Sequence, residues 1–351
     1  MEISVTPFTV HKRVPLTISR GTTAKSTNLW VKIAEDGVEG WGEATPFSVD
    51  VHRQTTEVIQ RELASLLPTL ESFHPLQRQP IEPLLSSVGS ATRAAIDVAL
   101  HDWLGKRAGL PLWQLWGLER DRISPTAVTV GLSKPDAAVQ RWQQWQTQVP
   151  TVQSIKIKLG SPDGIQADQA MLSALLPKIP PETKISVDAN GGWQLSQALA
   201  MADWLAERGV TYIEQPLPVA LDDALSELSA RSPLPIFVDE SCFTSQDIPR
   251  LADAVQGINI KLMKAGGFSE AVRMIHTARA CGLQVMFGCY SDSALSNTAL
   301  AHIAPLADHL DLDSHLNLTD DPFQGATIHA GRLLPNDAPG LGLIYHELSH
   351  R

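Results

Sequence analysis

The sequence predicts an α/β protein in which a parallel β/α barrel follows a smaller α+β unit. After about residue 123, eight short apolar segments alternate with helical stretches, and each lies roughly 22 to 30 residues from the next. This spacing suits a strand, a crossover helix and two loops. A doubly wound sheet is the rival fold, but its Gly-rich phosphate loop is missing after the first segment. We therefore expect a barrel.

The first unit carries the signals of an antiparallel sheet followed by helices. Asp36-Gly37 predicts a hairpin turn between strands over 28–33 and 38–43. A helix is expected to begin near Ser90, since apolar residues then recur at helical spacing as far as the Gly109 stop signal. We interpret 16–25 and 46–52 as polar loops of this unit, and Asp50 in the second loop as a residue that faces a basic side chain.

The change of pattern also sets the domain boundaries. We predict an α+β unit over 1–122, the barrel over 123–320, and a segment over 321–351 that returns to pack on the first unit. The eight predicted barrel strands are 126–130, 155–159, 184–188, 211–214, 236–239, 258–261, 285–288 and 309–313.

Composition excludes several classes of partner. The 351 residues carry a net charge of -10, so neither nucleic acid nor an anionic membrane is expected to bind. The three cysteines form no C-x-x-C pair, and the start of the chain lacks the pattern of a secretion signal. We expect a soluble cytoplasmic protein that acts on a small molecule; the sequence leaves the oligomeric state open, a homo-oligomer included.

Ionisable residues stand where the predicted strands end. Parallel barrel strands are buried and apolar, and their carboxyl ends meet at one mouth. Three strands end in carboxylates, at Asp188, Glu214 and Asp239, whose mutual repulsion calls for a cation. Hard oxygen ligands on rigid strands suit Mg²⁺, one ion per active site. The alternative, three helix N-caps, explains each residue singly but poorly explains all three together.

Two lysines at strand ends would flank this metal. Lys158 and Lys261 lie on the second and sixth predicted strands, on opposite sides of the barrel mouth. Two bases placed this way remove a proton from one face of a carbon and return one to the other, as in a racemase or epimerase. Lys156, on the same strand face as Lys158, adds positive charge that lowers the pKa of its neighbour. Exposed edge-strand lysines are the alternative for this strand.

At these residues the chain resembles the enolase superfamily, muconate-lactonising subgroup. The motifs, in order, are Lys156-Ile157-Lys158, Asp188-Ala189-Asn190, Glu214-Gln215-Pro216, Asp239-Glu240-Ser241 and Ile260-Lys261-Leu262-Met263-Lys264-Ala265-Gly266-Gly267. The resemblance implies a (β/α)7β modified TIM barrel with an N-terminal α+β capping domain that the C-terminal segment completes. It also implies that Asp188, Glu214 and Asp239 bind Mg²⁺, that Lys158 and Lys261 form the acid/base pair, and that Lys156 and Asn190 support them.

A second pair of carboxylates narrows the reaction. Asp311 and Asp313, two apart on the eighth predicted strand, would share a face toward the mouth. This Asp-x-Asp resembles that of dipeptide epimerases, where it implies a site for the α-ammonium of a dipeptide substrate. A solvated strand terminus is the alternative. Asp292 stands where relatives often carry a glutamate, and Arg20 lies near an arginine that alanyl-glutamate epimerases use, so both are candidate substrate-binding residues.

These features indicate a Mg²⁺-dependent dipeptide epimerase that inverts the C-terminal residue of an L-Ala-L/D-Xaa type of dipeptide. The same lysine and metal core would also serve an N-succinylamino-acid racemase, an o-succinylbenzoate synthase or a cycloisomerase. A protein of a different class, which binds metal and ligand without catalysis, would be expected to lack a lysine or a carboxylate, and none is missing.

Overall fold

The computed structural model describes residues 1–49 and 52–347, so Asp50 lies outside the described residues. The strands are β1 (Glu2–Ile18), β2 (Gly21–Glu35), β3 (Val38–Ala44), β4 (Phe47–Val49), β5 (His52–Gln54), β6 (Val128–Val130), β7 (Ser154–Lys158), β8 (Lys184–Asp188), β9 (Val210–Glu214), β10 (Ile236–Val238), β11 (Gly257–Ile260), β12 (Gln284–Phe287), β13 (His309–Leu310), β14 (Phe323–Gln324), β15 (Thr327–His329), β16 (Arg332–Leu334) and β17 (Ile344–Tyr345).

The α-helices are α1 (Thr56–Leu70), α2 (Arg78–Leu85), α3 (Ser90–Ala108), α4 (Leu112–Leu115), α5 (Pro135–Gln148), α6 (Ile165–Leu175), α7 (Leu195–Ala206), α8 (Leu225–Arg231), α9 (Ile248–Leu251), α10 (Leu262–Ala265), α11 (Phe268–Ala280) and α12 (Ala294–Ile303). Within the part of the chain that the structure describes, no helix has both the length and the apolar character needed to cross a bilayer.

The N-terminal sheet is a three-stranded antiparallel meander of β1, β2 and β3. The predicted hairpin turn is confirmed, since Asp36 and Gly37 both have positive φ, at 52° and 73°. The prediction of a loop over 16–25 is wrong. β1 runs to Ile18 and β2 resumes at Gly21, so that Ser19 and Arg20 alone form the tip of a long hairpin. Local polarity misled the prediction because residues 21–25, on the second arm of this hairpin, are exposed and largely polar although they pair as a strand.

Helix α3 packs on β3 at two glycines. A Cβ at Gly40 would overlap Ala99 O, and a Cβ at Gly42 would overlap Ala95 O, so only glycine allows the helix backbone to approach this closely. The helix begins at Ser90 with Gly89 as its N-cap and ends at Gly109 in the left-handed conformation. The predicted helix is thus confirmed, and it fixes the N-terminal sheet to the rest of the domain.

Replacing Gly42 with alanine is expected to lower the free energy of unfolding by about 1–3 kcal/mol, the range for inserting a methyl group into a packed interior. The new Cβ would push α3 away from β3 at Ala95. Urea unfolding followed by circular dichroism measures the effect, with Thr23→Ala on the exposed part of β2 as the control. Equal stability of the two variants would contradict the close-packing explanation.

The barrel is built from β6 to β13, which pair in parallel in chain order. It closes between its first and last strands, where Thr126 bridges Leu310 and Ala127 N–H donates to Leu310 O at 2.8 Å. All eight predicted strands are present, but the eighth stops at Leu310 rather than 313. The backbone leaves the ladder there because Leu312 N–H donates to the Thr126 hydroxyl and a 3-10 turn follows Asp313.

The C-terminal segment contacts the N-terminal unit. The Phe323 ring lies edge-on to Phe8 and Trp30, with centroids 5.5 and 5.3 Å apart. The buried Asp102 carboxylate of α3 accepts from Leu341 N–H at 2.7 Å. These contacts agree with the predicted return of the segment, while the exact boundaries at 122 and 320 stay predictions.

Candidate active site

The five ionisable strand-end residues lie together at one end of the barrel. Lys158, Asp188 and Glu214 are the last residues of β7, β8 and β9, whereas Asp239 and Lys261 come directly after β10 and β11. All five are buried. Lys158 Nζ lies 2.5 Å from Asp188 Oδ2, and Lys261 Nζ lies 2.8 Å from Asp239 Oδ2. The two lysines therefore reach the carboxylate group from neighbouring strands on either side.

The donor set fits a hard divalent cation. Burial and the charge of Asp188 raise the pKa of Glu214 to about 7, so a cation bound beside Glu214 would favour its ionised form. Nearby, Asn190 Oδ1 and Glu240 Oε2 are buried oxygens that find no hydrogen-bond partner among the residues that the structure describes. Buried carboxylate oxygens on rigid strands are ligands that Mg²⁺ prefers. The residues present thus fit the metal that the sequence predicts.

Each mouth carboxylate is turned toward a lysine, which keeps their oxygens from converging. One other group of possible metal ligands brings its atoms within 4.8 Å of one another in residues 1–49 and 52–347. It consists of Glu35, Asp36 and His74, which belong to the N-terminal unit and not to the barrel strands. Glu35 there pairs with the N-terminal ammonium at 2.7 Å. His74 Nδ1 accepts from Leu76 N–H. That exposed group already has partners of its own, so it is a poor candidate for the catalytic metal.

The neighbouring carboxylates dominate the electrostatics of the two end lysines. Burial opposes the charged form of Lys158, but the adjacent Asp188 carboxylate outweighs it and raises the pKa; Lys156 contributes in the predicted, lowering direction. For Lys261, burial is likewise outweighed by Asp239, and the pKa lies well above the ordinary value. The Lys261 ammonium also stands 4.6 Å from the centre of the Tyr290 ring.

Lys156 and Lys264 hold the carboxylates in place. Lys156 Nζ lies between two carboxylates, 2.5 Å from Glu214 Oε2 and 2.6 Å from Asp311 Oδ2. Lys264 lies 2.6 Å from Asp239 Oδ1 and donates to the carbonyls of Cys242 and Asn259. Both side chains are inaccessible to solvent. Lys156 is therefore a bridge between the carboxylate cluster and the eighth strand, beyond its predicted effect on Lys158.

The tip of the long N-terminal hairpin docks on the barrel mouth. Arg20 Nη1 lies 2.7 Å from Glu240 Oε1 and donates to Asn190 O at 2.9 Å, and the Ser19 hydroxyl donates to the same carbonyl. The Asn190 side chain in turn donates to Asp188 and Glu240. Arg20 was predicted to contact substrate, but its guanidinium is engaged by the acid that follows Asp239.

Asp311 and Asp313 follow β13 instead of lying within it, and they still share one small cavity with Lys158. Asp313 accepts from Thr129 N–H at 2.6 Å, and Thr129 Oγ1 donates to Asp311 at 3.2 Å. Burial and the neighbouring Asp311 raise the pKa of Asp313 to about 6. Both carboxylates therefore line the cavity, and among the described residues Asp313 has no ion-pair partner within 4.0 Å, as a site for a cationic group requires.

Two cations in the same cavity escaped the sequence prediction. Lys12 from β1 and Arg141 from α5 both line it, and both are buried. The signal was the charged run His11-Lys12-Arg13 inside an otherwise apolar strand pattern, and nothing in the sequence indicated where it would point. Asp292, by contrast, lies outside this cavity lining: it accepts from Tyr290 N–H, and within the described residues it forms no ion pair with Lys261 within 4.0 Å.

A larger cavity of about 420 Å³ opens on the other side of the mouth. Its apolar lining comes from both the hairpin domain and the barrel loops: Val49, Pro162, Leu217, Pro218, Val219 and Ala220. Among the residues that the structure describes, the charged lining residues are Arg20 and Glu240, which pair with each other. The cavity thus offers an apolar surface with little net charge.

Two family models match the chain in agreement with this architecture. Residues 1–117 match the mandelate racemase / muconate lactonizing enzyme N-terminal domain, and residues 137–348 match the enolase C-terminal domain-like model. The chain belongs to the enolase superfamily. As in the sequence-based expectation for this superfamily, an N-terminal domain covers the mouth of a barrel that carries lysines and carboxylates at its strand ends.

Similar members of the superfamily share nearly the full length of the chain. A hydrophobic dipeptide epimerase from Flavobacteria bacterium (strain MS024-2A) is 43% identical, with 99% of both chains covered. A substrate-liganded L-Ala-D/L-Glu epimerase structure from Bacillus subtilis is 28% identical, with a TM-score of 0.93 and 99% of both chains covered. A dipeptide epimerase structure from Cytophaga hutchinsonii, complexed with Mg and D-Ala-L-Val, is 26% identical, with a TM-score of 0.90 over 99% and 96%. This superfamily member is an enzyme of the isomerase class.

Proposed function

We propose that the protein is a Mg²⁺-dependent dipeptide epimerase that inverts the α-carbon of the C-terminal residue. The observation that carries the proposal is the placement of Lys158 and Lys261 on either side of three buried carboxylates, with Asp311 and Asp313 beside Lys158. The Mg-containing dipeptide complex of the Cytophaga hutchinsonii relative supports it. The resemblance implies alanine as the N-terminal residue of this dipeptide.

In the proposed reaction, Asp188, Glu214 and Asp239 hold the metal, with Asn190 supporting Asp188. When bound, the cation offsets the second negative charge that an α-deprotonated carboxylate develops. One of Lys158 and Lys261 removes the α-proton through Nζ, and the other returns a proton to the opposite face of the same carbon. Lys156 pairs with both Glu214 and Asp311 and holds them in place, and the α-ammonium of the dipeptide pairs with Asp311 and Asp313.

The 420 Å³ cavity is the proposed site for the side chain of the C-terminal residue. Its lining is largely apolar, and the charge of Arg20 is balanced by Glu240. A substrate carboxylate buried in this cavity would therefore have no unpaired cation to bind. We therefore propose an apolar C-terminal residue, with Arg20 positioning the hairpin rather than reading substrate charge. The name of the Flavobacteria relative, hydrophobic dipeptide epimerase, agrees with this choice.

The alternatives differ at the N-terminal end of the substrate. N-succinylamino acids, o-succinylbenzoate precursors and muconates have no ammonium group, and each would leave Asp311 and Asp313 facing an uncharged or anionic group. Incubating the protein with Mg²⁺ and L-Ala-L-Leu in D₂O tests the proposal, because epimerisation replaces the α-proton of leucine with deuterium. Absence of exchange with every dipeptide in a broad panel, metal present, would favour a binding protein without catalysis.

Asp313→Asn is expected to lower kcat/KM for free dipeptides by at least about 30-fold, the lower end of the loss for removing one charge of a buried pair. The asparagine retains the shape and an oxygen that accepts from Thr129 N–H, so the change is mainly one of charge. Kinetic constants for L-Ala-L-Leu and its N-acetyl derivative measure it. Asp308→Asn is the control. Asp308 directly precedes β13, at the end opposite to Asp313, and pairs with Arg279. An equal loss on the acetylated substrate would contradict an ammonium site.

A further inference from the structure

Lys12 is a buried ammonium that lines the same small cavity as Asp313. It lies in β1 where the register with β2 shifts, between His11 and Leu16, and this irregularity lets the side chain turn toward the barrel. Only 9% of Lys12 is exposed. Among residues 1–49 and 52–347, no acidic group lies within 4.0 Å of its Nζ. Burial lowers the pKa of Lys12, and the nearby acids, Asp313 among them, offset part of the cost.

Arg141, on α5, is a second buried cation that lines the same cavity as Lys12. Its guanidinium stacks 3.9 Å from the Trp145 ring centre and donates to Asn317 Oδ1 at 2.9 Å. It is 7% exposed, and within the described chain it too has no acidic group within 4.0 Å. These contacts fix the guanidinium plane with neutral partners, and the charge of Asp313 acts on the guanidinium without a direct ion pair among the described residues. A buried cation held by neutral partners is a ready site for an anion.

The cavity that these cations line also contains Asp311 and Asp313. The Asp311 charge is already matched by Lys156, and Asp313 accepts from the Thr129 backbone. The cavity measures about 60 Å³, room for a few atoms rather than a long side chain. Positive and negative groups therefore face one small space, which suits a residue that carries both an ammonium and a carboxylate close together.

We propose that the N-terminal residue of the dipeptide is aspartyl, with its side-chain carboxylate bound by Lys12 and Arg141 and its α-ammonium by Asp311 and Asp313. The inference rests on the proposed dipeptide epimerase function, and it replaces the alanine that the resemblance implies. An alanyl residue has no side-chain charge and would leave the two desolvated cations without an anion. An aspartyl residue carries a carboxylate on its β-carbon, which supplies that negative charge. A lysyl residue would add a third cation and is excluded.

Three compounds of nearly equal shape distinguish the effect of the α-ammonium from that of the side-chain carboxylate. L-Asp-L-Leu carries both the ammonium and the side-chain carboxylate, L-Asn-L-Leu lacks only the carboxylate charge, and N-succinyl-L-leucine is the aspartyl compound without its ammonium. Exchange of the leucine α-proton in D₂O with Mg²⁺ is measured for each. We expect kcat/KM for L-Asp-L-Leu to exceed that for each of the others at least about tenfold.

Substitutions of Lys12 and Arg141 test whether these two cations cause the preference for L-Asp-L-Leu over L-Asn-L-Leu. Lys12→Met keeps the aliphatic stem and is expected to reduce the ratio of kcat/KM for L-Asp-L-Leu over L-Asn-L-Leu at least about fivefold. Arg141→Gln provides the same test from the barrel side, should the first variant fold poorly. Lys25→Met, on an exposed lysine of the neighbouring β2 strand, should keep the wild-type ratio.

Each result bears on a different conclusion. Equal rates for L-Asp-L-Leu and L-Asn-L-Leu in the wild-type enzyme would overturn the aspartyl inference and leave the epimerase proposal standing. Equal losses on both dipeptides in Lys12→Met would overturn it too, because Lys12 would then only orient Asp313. If N-succinyl-L-leucine is the best substrate, or no dipeptide is exchanged, the proposed function fails together with the inference.

Discussion

Replacing Lys158 with methionine is expected to lower epimerisation by at least about 10³-fold, within the range that a positioned acid or base contributes. The methionine retains the aliphatic stem but cannot carry a proton, so one face of the α-carbon loses its base. Lys261 remains 2.8 Å from Asp239 on the other side. We therefore expect exchange of the α-proton to survive for one epimer only, and Lys261→Met to show the opposite preference.

The measurement follows deuterium incorporation separately for the two epimers by NMR. Lys184→Met is the matched control, because Lys184 is an exposed lysine at the other end of β8, the strand that ends in Asp188. Since Lys158 contacts Asp188, metal content and melting temperature are measured for each variant. A Lys158→Met enzyme that keeps its metal and still converts one epimer to the other at more than a tenth of the wild-type rate would contradict the two-lysine assignment.

Removing divalent metal is expected to abolish activity, and Glu214→Gln to prevent Mg²⁺ from restoring it. Three buried carboxylates at one mouth provide the charge that the cation needs, and the glutamine removes one of these charges. A ligand that binds only the folded state raises the melting temperature, so Mg²⁺ should stabilise the wild-type apoprotein, with an effect that grows with ion concentration. The variant should lose this response.

Glu35→Gln is the control for metal binding, since Glu35, Asp36 and His74 bring their ligand atoms together away from the barrel mouth. This variant should retain both activity and the Mg²⁺-dependent rise in melting temperature. If Glu35→Gln removes the thermal response and Glu214→Gln keeps it, the metal lies at the exposed group and the assignment of the strand-end carboxylates is wrong.

Much of the barrel could be predicted because its signals are local. A strand's side chains alternate, and a parallel barrel brings its carboxyl ends to one mouth, so the pattern alone placed Asp188 and Glu214 together. The eighth strand was predicted too long. Its apolar alternation continues to Asp313, but a hydrogen bond from Leu312 N–H to the Thr126 hydroxyl ends the ladder at Leu310. This contact joins the two strands that close the barrel, and no local pattern contains it.

In the 16–25 segment the sequence prediction failed in the other direction, because a strand hairpin was predicted to be a loop. Its composition indicates a loop, yet the backbone pairs as a hairpin to within one residue of Arg20, because strand pairing satisfies backbone groups irrespective of side-chain polarity. The tip then docks on Glu240, and this contact changes the interpretation of Arg20 from a free cation to a paired one. The charge available to a substrate depends on such partners, and they come from another domain.

By itself, the sequence determined the fold class, the strand order and the residue types at the barrel mouth, since these follow from periodicity and spacing along the chain. The tertiary structure decided which charges are already compensated. Lys156 joins Glu214 to Asp311, and Arg20 is balanced by Glu240. Lys12 and Arg141 reach the Asp311–Asp313 cavity and form no ion pair within 4.0 Å in the described part of the chain. Pairing of charges depends on distances of a few ångströms between residues remote in the chain, and packing alone fixes those distances.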